Sequence, residues 1–490
     1  MTRRYAFVGL GHRVQMYLDA LMGDWKDTGR IVAFCDTNRT RMRYHNDRLA
    51  QHGGEAVPAF APEQFGKLLE LADTVVVTCV DSAHAEYVTA ALDAGRDVIV
   101  EKPLTVDAES CAAIAAAAER SSGSLVTTFN YRYSPRNSAV RRHLAEGAIG
   151  EVTSVHFEWT LDTIHGADYF RRWHRDIAQS GGLLVHKASH HFDLVNWWLG
   201  ARPELVFAQS ALRFYGAGNA PGPRPQRAHG APGLGTDPFL LDLTSDPRLA
   251  RLYLDAETED GYLRDRDVFG DGVTIHDNMA VLVRYDSGAL LTYSLNAHAP
   301  HEGYRVSFNG TRGRLELEVC ERVWTPPHAA VDASAAGKEH TPGAWERLTE
   351  HLHWQQPREV PIENGDGAHG GGDRLLLDDL FRGPGDDPLA RRAGHLEGIR
   401  SVLVGVAANR SARTGLPVRL LNGGAALADG EPEPRPATAP DAATGGAADP
   451  PGPEPVVVAT APPTAAASTA SDGPAAAPEH DRAAVEGGAA

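Results

Sequence analysis

The sequence predicts an α/β chain in two parts: a doubly wound parallel sheet of Rossmann type, then an α+β domain with an open, mostly antiparallel sheet. Three observations predict it. Residues 4–128 alternate β-branched runs with helical stretches, whereas from about Gly150 strands follow one another with only turns between them. Three short motifs also fall in order, roughly ninety residues apart: Gly9-Leu10-Gly11-His12-Arg13, then Glu101-Lys102-Pro103, then Gly181-Gly182-Leu183-Leu184-Val185-His186-Lys187-Ala188-Ser189-His190-His191-Phe192-Asp193.

Tyr5-Ala6-Phe7-Val8 reads as the first strand, and the stretch after Gly11 as a helix with Met16, Leu18, Leu21 and Met22 apolar. Residues 31–35 and 74–78 are further strands. Continuous β-branched runs between helices mean a parallel sheet covered on both faces. Residues 83–95 form a helix stopped by Gly95. Asp97-Val98-Ile99-Val100, an alanine-rich helix over 108–119 and a strand over 124–128 complete a domain of residues 1–129.

The second domain covers 130–420. Residues 152–159 alternate like a half-exposed strand, and 279–285, 289–295, 304–308 and 314–319 follow. Asp286-Ser287-Gly288 and Gly310-Thr311-Arg312-Gly313 are hairpin turns between them. A helix near His190 to Trp198 packs on this sheet or bridges to the first domain. Residues 216–235 and 326–372 read as long loops, and 345–351 is compatible with a short helix. Over 394–412, Ile399, Val402, Leu403, Val406 and Ala407 share one helical face. Residues 421–490 are rich in Ala, Pro, Gly and acid, too poor in apolar surface to offset their ordering entropy, and are expected to be a disordered tail.

The 490 residues suggest two domains or three. No apolar run reaches eighteen residues, and Met1-Thr2-Arg3-Arg4 leads into a strand without a signal-peptide core, so a cytoplasmic chain with no membrane contact is expected. Cys35, Cys79, Cys111 and Cys320 lack Cys-x-x-Cys spacing, which excludes a zinc ribbon and suggests reduced thiols. The net charge of −17 argues against nucleic acid as a partner.

Gly9-x-Gly11 between strand and helix lets backbone N–H groups approach a pyrophosphate. Val14 stands where a third glycine is usual. Asp36, closing the second strand, can accept from ribose hydroxyls and repels a 2′-phosphate, which favours NAD. Arg39 and Arg41 keep NADP open, and Asp36 can equally be a helix cap. Lys102 stands at the carboxyl end of a strand, where ligands bind in such sheets. It can act as acid–base with Glu101 holding it, or both can form a solvated ion pair.

His186, His190 and Asp193 fall at i, i+4 and i+7, one face of a helix, and His190 can accept a hydroxyl proton. The same face resembles a divalent-ion site, but Lys187 disfavours a cation, and no metal is expected. Upstream, Trp159, Asp162, His165, Asp168, Tyr169, Arg172, Trp173, His174 and Arg175 fit a polyol pocket or an exposed loop.

Together Glu101-Lys102-Pro103, Gly181-Gly182 and His190-x-x-Asp193 resemble the glucose–fructose oxidoreductase/inositol dehydrogenase/MocA family. Asn130-Tyr131-Arg132-Tyr133, Gly310-Thr311-Arg312-Gly313-Arg314-Leu315-Glu316 and Ala408-Asn409-Arg410-Ser411 extend the resemblance over residues 4–420. The resemblance implies a nicotinamide cofactor, a sugar, cyclitol or derivative as substrate, and a homo-oligomer (dimer or tetramer) formed through the open sheet. It implies Lys102 and His190 as the catalytic pair, with His84 near the nicotinamide. The expected cofactor set is Gly9, Gly11, His12, Arg13, Asp36, Asn38, Arg39, Asp81, His84, Glu101, Lys102 and Asn130. The expected substrate set is Tyr131, Arg132, His165, Tyr169, Arg172, Trp173, Lys187 and Asp193.

Two features depart from the family pattern. His186 stands where most members carry aspartate and Lys187 where most carry an apolar residue, so His186 joins the catalytic candidates and an acidic sugar such as a uronate becomes plausible. Residues 216–277 and the loop His369-Gly370-Gly371-Gly372-Asp373 are additions that can cover the site or mediate oligomer contacts. Two other functions remain open: glycoside cleavage with a recycled cofactor, and a non-catalytic, cofactor-bound sensor.

Overall fold

The computed structural model describes residues 2–327, 343–363 and 371–428. Its first sheet contains β1 (Arg3–Val8), β2 (Gly29–Cys35), β3 (Ala59–Phe60), β4 (Thr74–Val77), β5 (Asp97–Val100) and β6 (Leu125–Thr127). All pairs are parallel, in the order β3-β2-β1-β4-β5-β6. Alternate side chains feed two buried faces, Ala6, Val8, Val75 and Val77 on one and Tyr5, Phe7, Phe34 and Val76 on the other. Apolar strands of this kind need helices on both sides. The strand order reverses between β1 and β4, so the carboxyl ends of these strands open onto a crevice.

The second sheet contains β7 (Val152–Asp162), β8 (Pro203–Ala211), β9 (Asn278–Tyr285), β10 (Leu290–Ala299), β11 (Glu302–Gly310), β12 (Gly313–Arg322), β13 (Trp345–Leu352), β14 (Arg358–Val360), β15 (Val418–Leu421) and β16 (Ala426–Leu427). The order is β14-β13-β12-β11-β7-β10-β9-β8-β15-β16, with the β7–β10 pair parallel and the rest antiparallel. One face is buried: Met279, Val281, Val283 and Tyr285 point inward from β9, while Leu282 points out. The helices Ala188–Leu199 and His395–Thr414 pack together on the inner side.

Three expectations need correction. The stretch 345–351 is strand, not helix: β13 pairs antiparallel along β12, which sets Leu348 beside Leu317 in the core. The free edge of β12 outweighs a weak local helical tendency. Second, β8 and the helix Gly372–Arg382 are additional elements; the helix has a helical-period apolar face, Leu376, Leu377, Leu380 and Phe381, and includes the Gly372 and Asp373 read as loop. Third, the carboxyl-terminal boundary at 421 falls inside a strand pair, because β15 turns back into β16 as far as Leu427. The rest of the expected tail, 429–490, and the loop residues His369 and Gly370 lie outside the described residues.

The His395–Thr414 helix reaches both sheets. A Cβ on Gly405 would stand 2.2 Å from the Leu184 carbonyl oxygen, so this face approaches the Gly181-Gly182 segment closely. Asn409 Nδ2 donates to the Gly181 carbonyl at 2.7 Å. Just ahead of the helix, the Ala393 carbonyl accepts from Thr127 N–H of β6 at 2.9 Å. Among the described residues no helix is long and apolar enough to cross a membrane.

Candidate functional site

A cleft of about 960 Å³ runs from the carboxyl ends of β1 and β2, past β4 and β5, to the inner face of the second sheet. Gly9 follows β1 with φ +81°, and a Cβ there would lie 2.3 Å from Cys79 Cα, so only glycine fits. Val14, at the usual third glycine position, is buried in the core instead. Asp36 lines the cleft beyond β2. Its Oδ2 accepts from Leu10 N–H at 2.6 Å and its Oδ1 from Asn38 N–H at 2.8 Å. Burial raises the Asp36 carboxyl, and Arg41 at 3.6 Å opposes this.

Glu101 and Lys102 face opposite ways. Glu101 accepts from Tyr17 Oη at 2.6 Å and Arg13 Nε at 2.5 Å, so it braces the glycine-rich turn rather than the lysine side chain. Burial favours protonation of Glu101, but Arg13 and Tyr17 outweigh it and hold the carboxyl below its ordinary value. Lys102 Nζ lies 3.4 Å from His186 Nε2 and donates to the His186 carbonyl at 3.2 Å. His186 Nδ1 meets Asp81 Oδ2 at 2.5 Å. Burial drives all three groups toward their neutral forms: Lys102 and His186 down, the latter reinforced by the Lys102 charge, and Asp81 up. With Nδ1–H directed to Asp81, the lone pair on His186 Nε2 faces Lys102.

Local backbone sets this chain of groups. Gly181 and Gly182 both take positive φ, +68° and +74°, which turns the chain into the short helix Leu183–His186. The next helix, Ala188–Leu199, starts after Lys187, so His186 and His190 stand on two short helices rather than one. Both line the cleft. His190 stacks on Tyr131, with ring centroids 4.3 Å apart.

Deeper in, Trp159, Tyr131, Tyr169 and Trp173 present aromatic rings, and Lys187, His165, Glu302 and Arg172 present charge and hydrogen-bonding groups. Lys187 donates to Tyr131 Oη at 3.1 Å and lies over the Trp159 ring at 4.7 Å. Burial pushes its ammonium down to about 7, although Glu302 opposes this. Burial alone would raise Glu302, but His165, bonded at 2.6 Å, holds it at about 2. Among the described residues, buried Glu302 Oε2 and Trp159 Nε1 have no hydrogen-bond partner, although Arg322 Nη2 lies 3.9 Å from Glu302 Oε2.

Of the sequence-predicted residues, Gly9, Gly11, His12, Arg13, Asp36, Asp81, Glu101, Lys102 and Asn130 line this cleft, as do Tyr131, His165, Tyr169, Arg172, Trp173, His186, Lys187 and His190. Five do not line it. Asn38 is buried, capping the helix Arg39–Gln51 through Arg41 N–H and donating to the Ala256 carbonyl at 2.9 Å. Arg39 is exposed, and its backbone N–H donates to Glu259 Oε2 at 2.7 Å. His84 is buried against the carbonyls of Pro103 (2.9 Å) and Cys79 (3.3 Å), supporting the Lys102 turn from behind. Arg132 and Asp193 form a bidentate buried pair at 2.7 and 2.6 Å. Each satisfies the other, so neither reaches a ligand.

Sequence reasoning missed Glu302, which lies at the first residue of β11 outside any motif. It also missed Tyr253 and Asp260, which reach the cleft from the 216–277 addition together with Tyr262 and Arg264. The Tyr-Leu-Arg cluster at 262–264 was the available signal. Arg264 pairs with Asp168 at 2.7 Å, tying this addition to the chamber wall. The histidine–aspartate face read as a metal alternative is split between Asp81 and Arg132. Among the described residues no group of three or more His, Cys, Asp or Glu side chains is arranged to hold a metal ion.

Residues 3–129 match the oxidoreductase family NAD-binding Rossmann fold, and residues 141–420 match the same family's C-terminal alpha/beta domain. The Bacillus subtilis protein YteT is 34% identical over 433 residues, covering 85% of this chain and 97% of that protein. Inositol 2-dehydrogenase of Rhizobium meliloti is 28% identical over 213 residues, 43% of this chain and 59% of that enzyme. The crystal structure of aldose-aldose oxidoreductase from Caulobacter crescentus superimposes with a TM-score of 0.56 at 18% identity, covering 86% of this chain and all of that one. Levoglucosan dehydrogenase in complex with NADH gives 0.57 at 16% identity, with coverage of 86% and 99%; at such identities the likeness speaks for the fold. With both family domains matched in order along most of its folded length, this chain belongs to the Gfo/Idh/MocA oxidoreductase family.

Proposed function

We propose that the protein is an NAD-dependent oxidoreductase acting on a secondary alcohol of a sugar, cyclitol or sugar derivative. The observation that carries this reading is the Asp81–His186–Lys102 chain at the lip of a cleft that also holds Gly9 and Asp36. The cleft suits a dinucleotide: a Cβ added at Gly11 would meet only the Tyr253 hydroxyl within 4 Å, so backbone can approach a pyrophosphate there. Gly9, Gly11, His12, Arg13 and Asp36 would hold it. When bound, the nicotinamide supplies the hydride acceptor or donor.

The chain's own groups manage the proton. Burial favours the neutral Lys102 amine, which can take the proton of a substrate hydroxyl and share it with His186 Nε2 while Asp81 orients the ring. His190, stacked on Tyr131 in the same cleft, is the other candidate to contact that hydroxyl. Trp173, half-buried at the cleft, offers its ring to sugar C–H groups, and His165, Tyr169 and Arg172 offer hydrogen bonds to hydroxyls. Lys187, buried with no carboxylate within 4.0 Å among the described residues, favours an acidic sugar such as a uronate.

The test is purified protein with NAD and a panel of free sugars, uronates, cyclitols and glycosides, followed by NADH absorbance and product mass. NADH formation with a two-hydrogen mass loss is the expected result. Nucleotide binding without any turnover across the panel would replace this reading with a sensor. A second reading, glycosidic cleavage with no net change in the cofactor, draws on the additional acid–base groups His165, Tyr169 and His174 that line the cleft near His186. Aglycone release at constant NADH would identify it.

A further inference from the structure

An enzyme that selects a 2′-phosphorylated dinucleotide needs a free anion site beside the adenosine ribose. The usual sources are the N–H groups opening the helix after the second strand and an arginine close by. This chain has both, in Arg39, Thr40 and Arg41; the inserted segment engages the N–H groups and the Arg41 guanidinium, while the Arg39 side chain is exposed. Glu259 Oε2 accepts from Arg39 N–H at 2.7 Å and from Thr40 N–H at 3.3 Å, and Glu259 Oε1 accepts from Thr40 Oγ1 at 2.5 Å. Asp260 pairs with Arg41 at 2.8 Å.

Arg41 is fixed as well as neutralised. Its Nε donates to the Leu252 carbonyl at 3.2 Å, and its guanidinium lies 5.7 Å from the Tyr253 ring centroid and 5.8 Å from that of Tyr262. Three carboxylates thus gather at the start of this helix: Asp36 and Asp260, which line the cleft, and Glu259 on the N–H groups of Arg39 and Thr40. Further along, the Tyr253 hydroxyl accepts from His12 N–H at 2.9 Å, directly over the glycine-rich turn. Among the described residues its own proton has no acceptor and is available to an anion at that turn.

We infer that the inserted segment 250–262 completes the nucleotide site: Glu259 and Asp260 select NAD against its 2′-phosphorylated form, and the Tyr253 hydroxyl contacts the pyrophosphate. The inference rests on the proposed nicotinamide-dependent function. It extends the selectivity role of Asp36 to residues some 220 positions away in sequence, a separation that Thr40 and Glu259 span in space.

The test is titration of the full-length protein with NADH and with NADPH, read by fluorescence, without any substrate. Wild type is expected to bind NADPH at least about 100-fold more weakly, since a phosphate dianion beside several partly buried carboxylates is strongly repelled. The double variant Glu259→Ala/Asp260→Ala should narrow that ratio at least tenfold, mainly by tighter NADPH binding. Tyr253→Phe should weaken both nucleotides alike. Should the alanine variant fold poorly, the isosteric pair Glu259→Gln/Asp260→Asn removes the charge and keeps the shape. An unchanged ratio in a folded charge-removed variant, or no preference in wild type, overturns the inference alone. Failure of wild type to bind either nucleotide overturns the proposed function with it.

Discussion

Lys102 sits among groups that push its proton affinity in opposite directions: burial lowers it, and the nearby Asp81 and Glu101 charges raise it. A residue so poised suits proton transfer. Lys102→Met is expected to lower kcat by about a thousandfold while the NADH dissociation constant, read by fluorescence, moves less than about threefold. Retained turnover would remove Lys102 from the chemistry. Lys187 makes a different prediction. Its folded pKa of about 7 lies below the ordinary 10.5, so between these values the unfolded chain binds more protons and stability rises with pH. The burden is fully present below pH 7. Lys187→Met should therefore stabilise the protein by about 2–4 kcal/mol at pH 6 and by much less near pH 10. Urea denaturation at the two pH values checks this; a pH-independent difference would rule out Lys187 as the group. Much of this chemistry was legible at the residue scale, because Lys102, His186 and Lys187 belong to short motifs. Their partners were not: nothing in the sequence says that Glu101 turns to Arg13 or that Asp81 reaches His186 across 105 residues.

Elements were legible where a local pattern decided them. Five of the six strands of the first sheet read directly because each is a short apolar run between helices, whereas β3, only Ala59–Phe60, has no run to read. β13 did not, because its conformation depends on the edge of β12, more than twenty residues earlier. The added segment was visible as extra length, but its docking rests on contacts such as Asn38 to Ala256 that no periodicity reveals. The helix His395–Thr414 makes a prediction of its own. Gly405 lies against the Leu184 carbonyl, so Gly405→Val must push the helix off the segment carrying His186. A loss of about 2–4 kcal/mol in denaturant unfolding is expected, together with a raised substrate KM. Wild-type stability in that variant would mean the helix tolerates displacement.

For the whole molecule, the open face of the second sheet carries exposed Leu282 and Leu290, 52% and 54% accessible, on adjacent antiparallel strands. Exposed apolar side chains on a flat sheet are a natural contact for a second copy. Light scattering should report a dimer or tetramer, and Leu282→Glu/Leu290→Glu should reduce it to a smaller species with the same circular dichroism. NADH at 100 times its dissociation constant should add about 2.7 kcal/mol of stability by mass action, visible as a raised Tm. The bond between Thr127 and Ala393 has a consequence for biogenesis. β6 is the last strand of the nucleotide sheet, and its outer edge is met by a segment translated more than 260 residues later. A growing chain therefore exposes an unpaired sheet edge until residue 393 has cleared the ribosome, and a fragment ending at residue 129 keeps that edge permanently. Such a fragment should self-associate where the full-length chain does not, which makes the carboxyl-terminal helix a guard against misassembly.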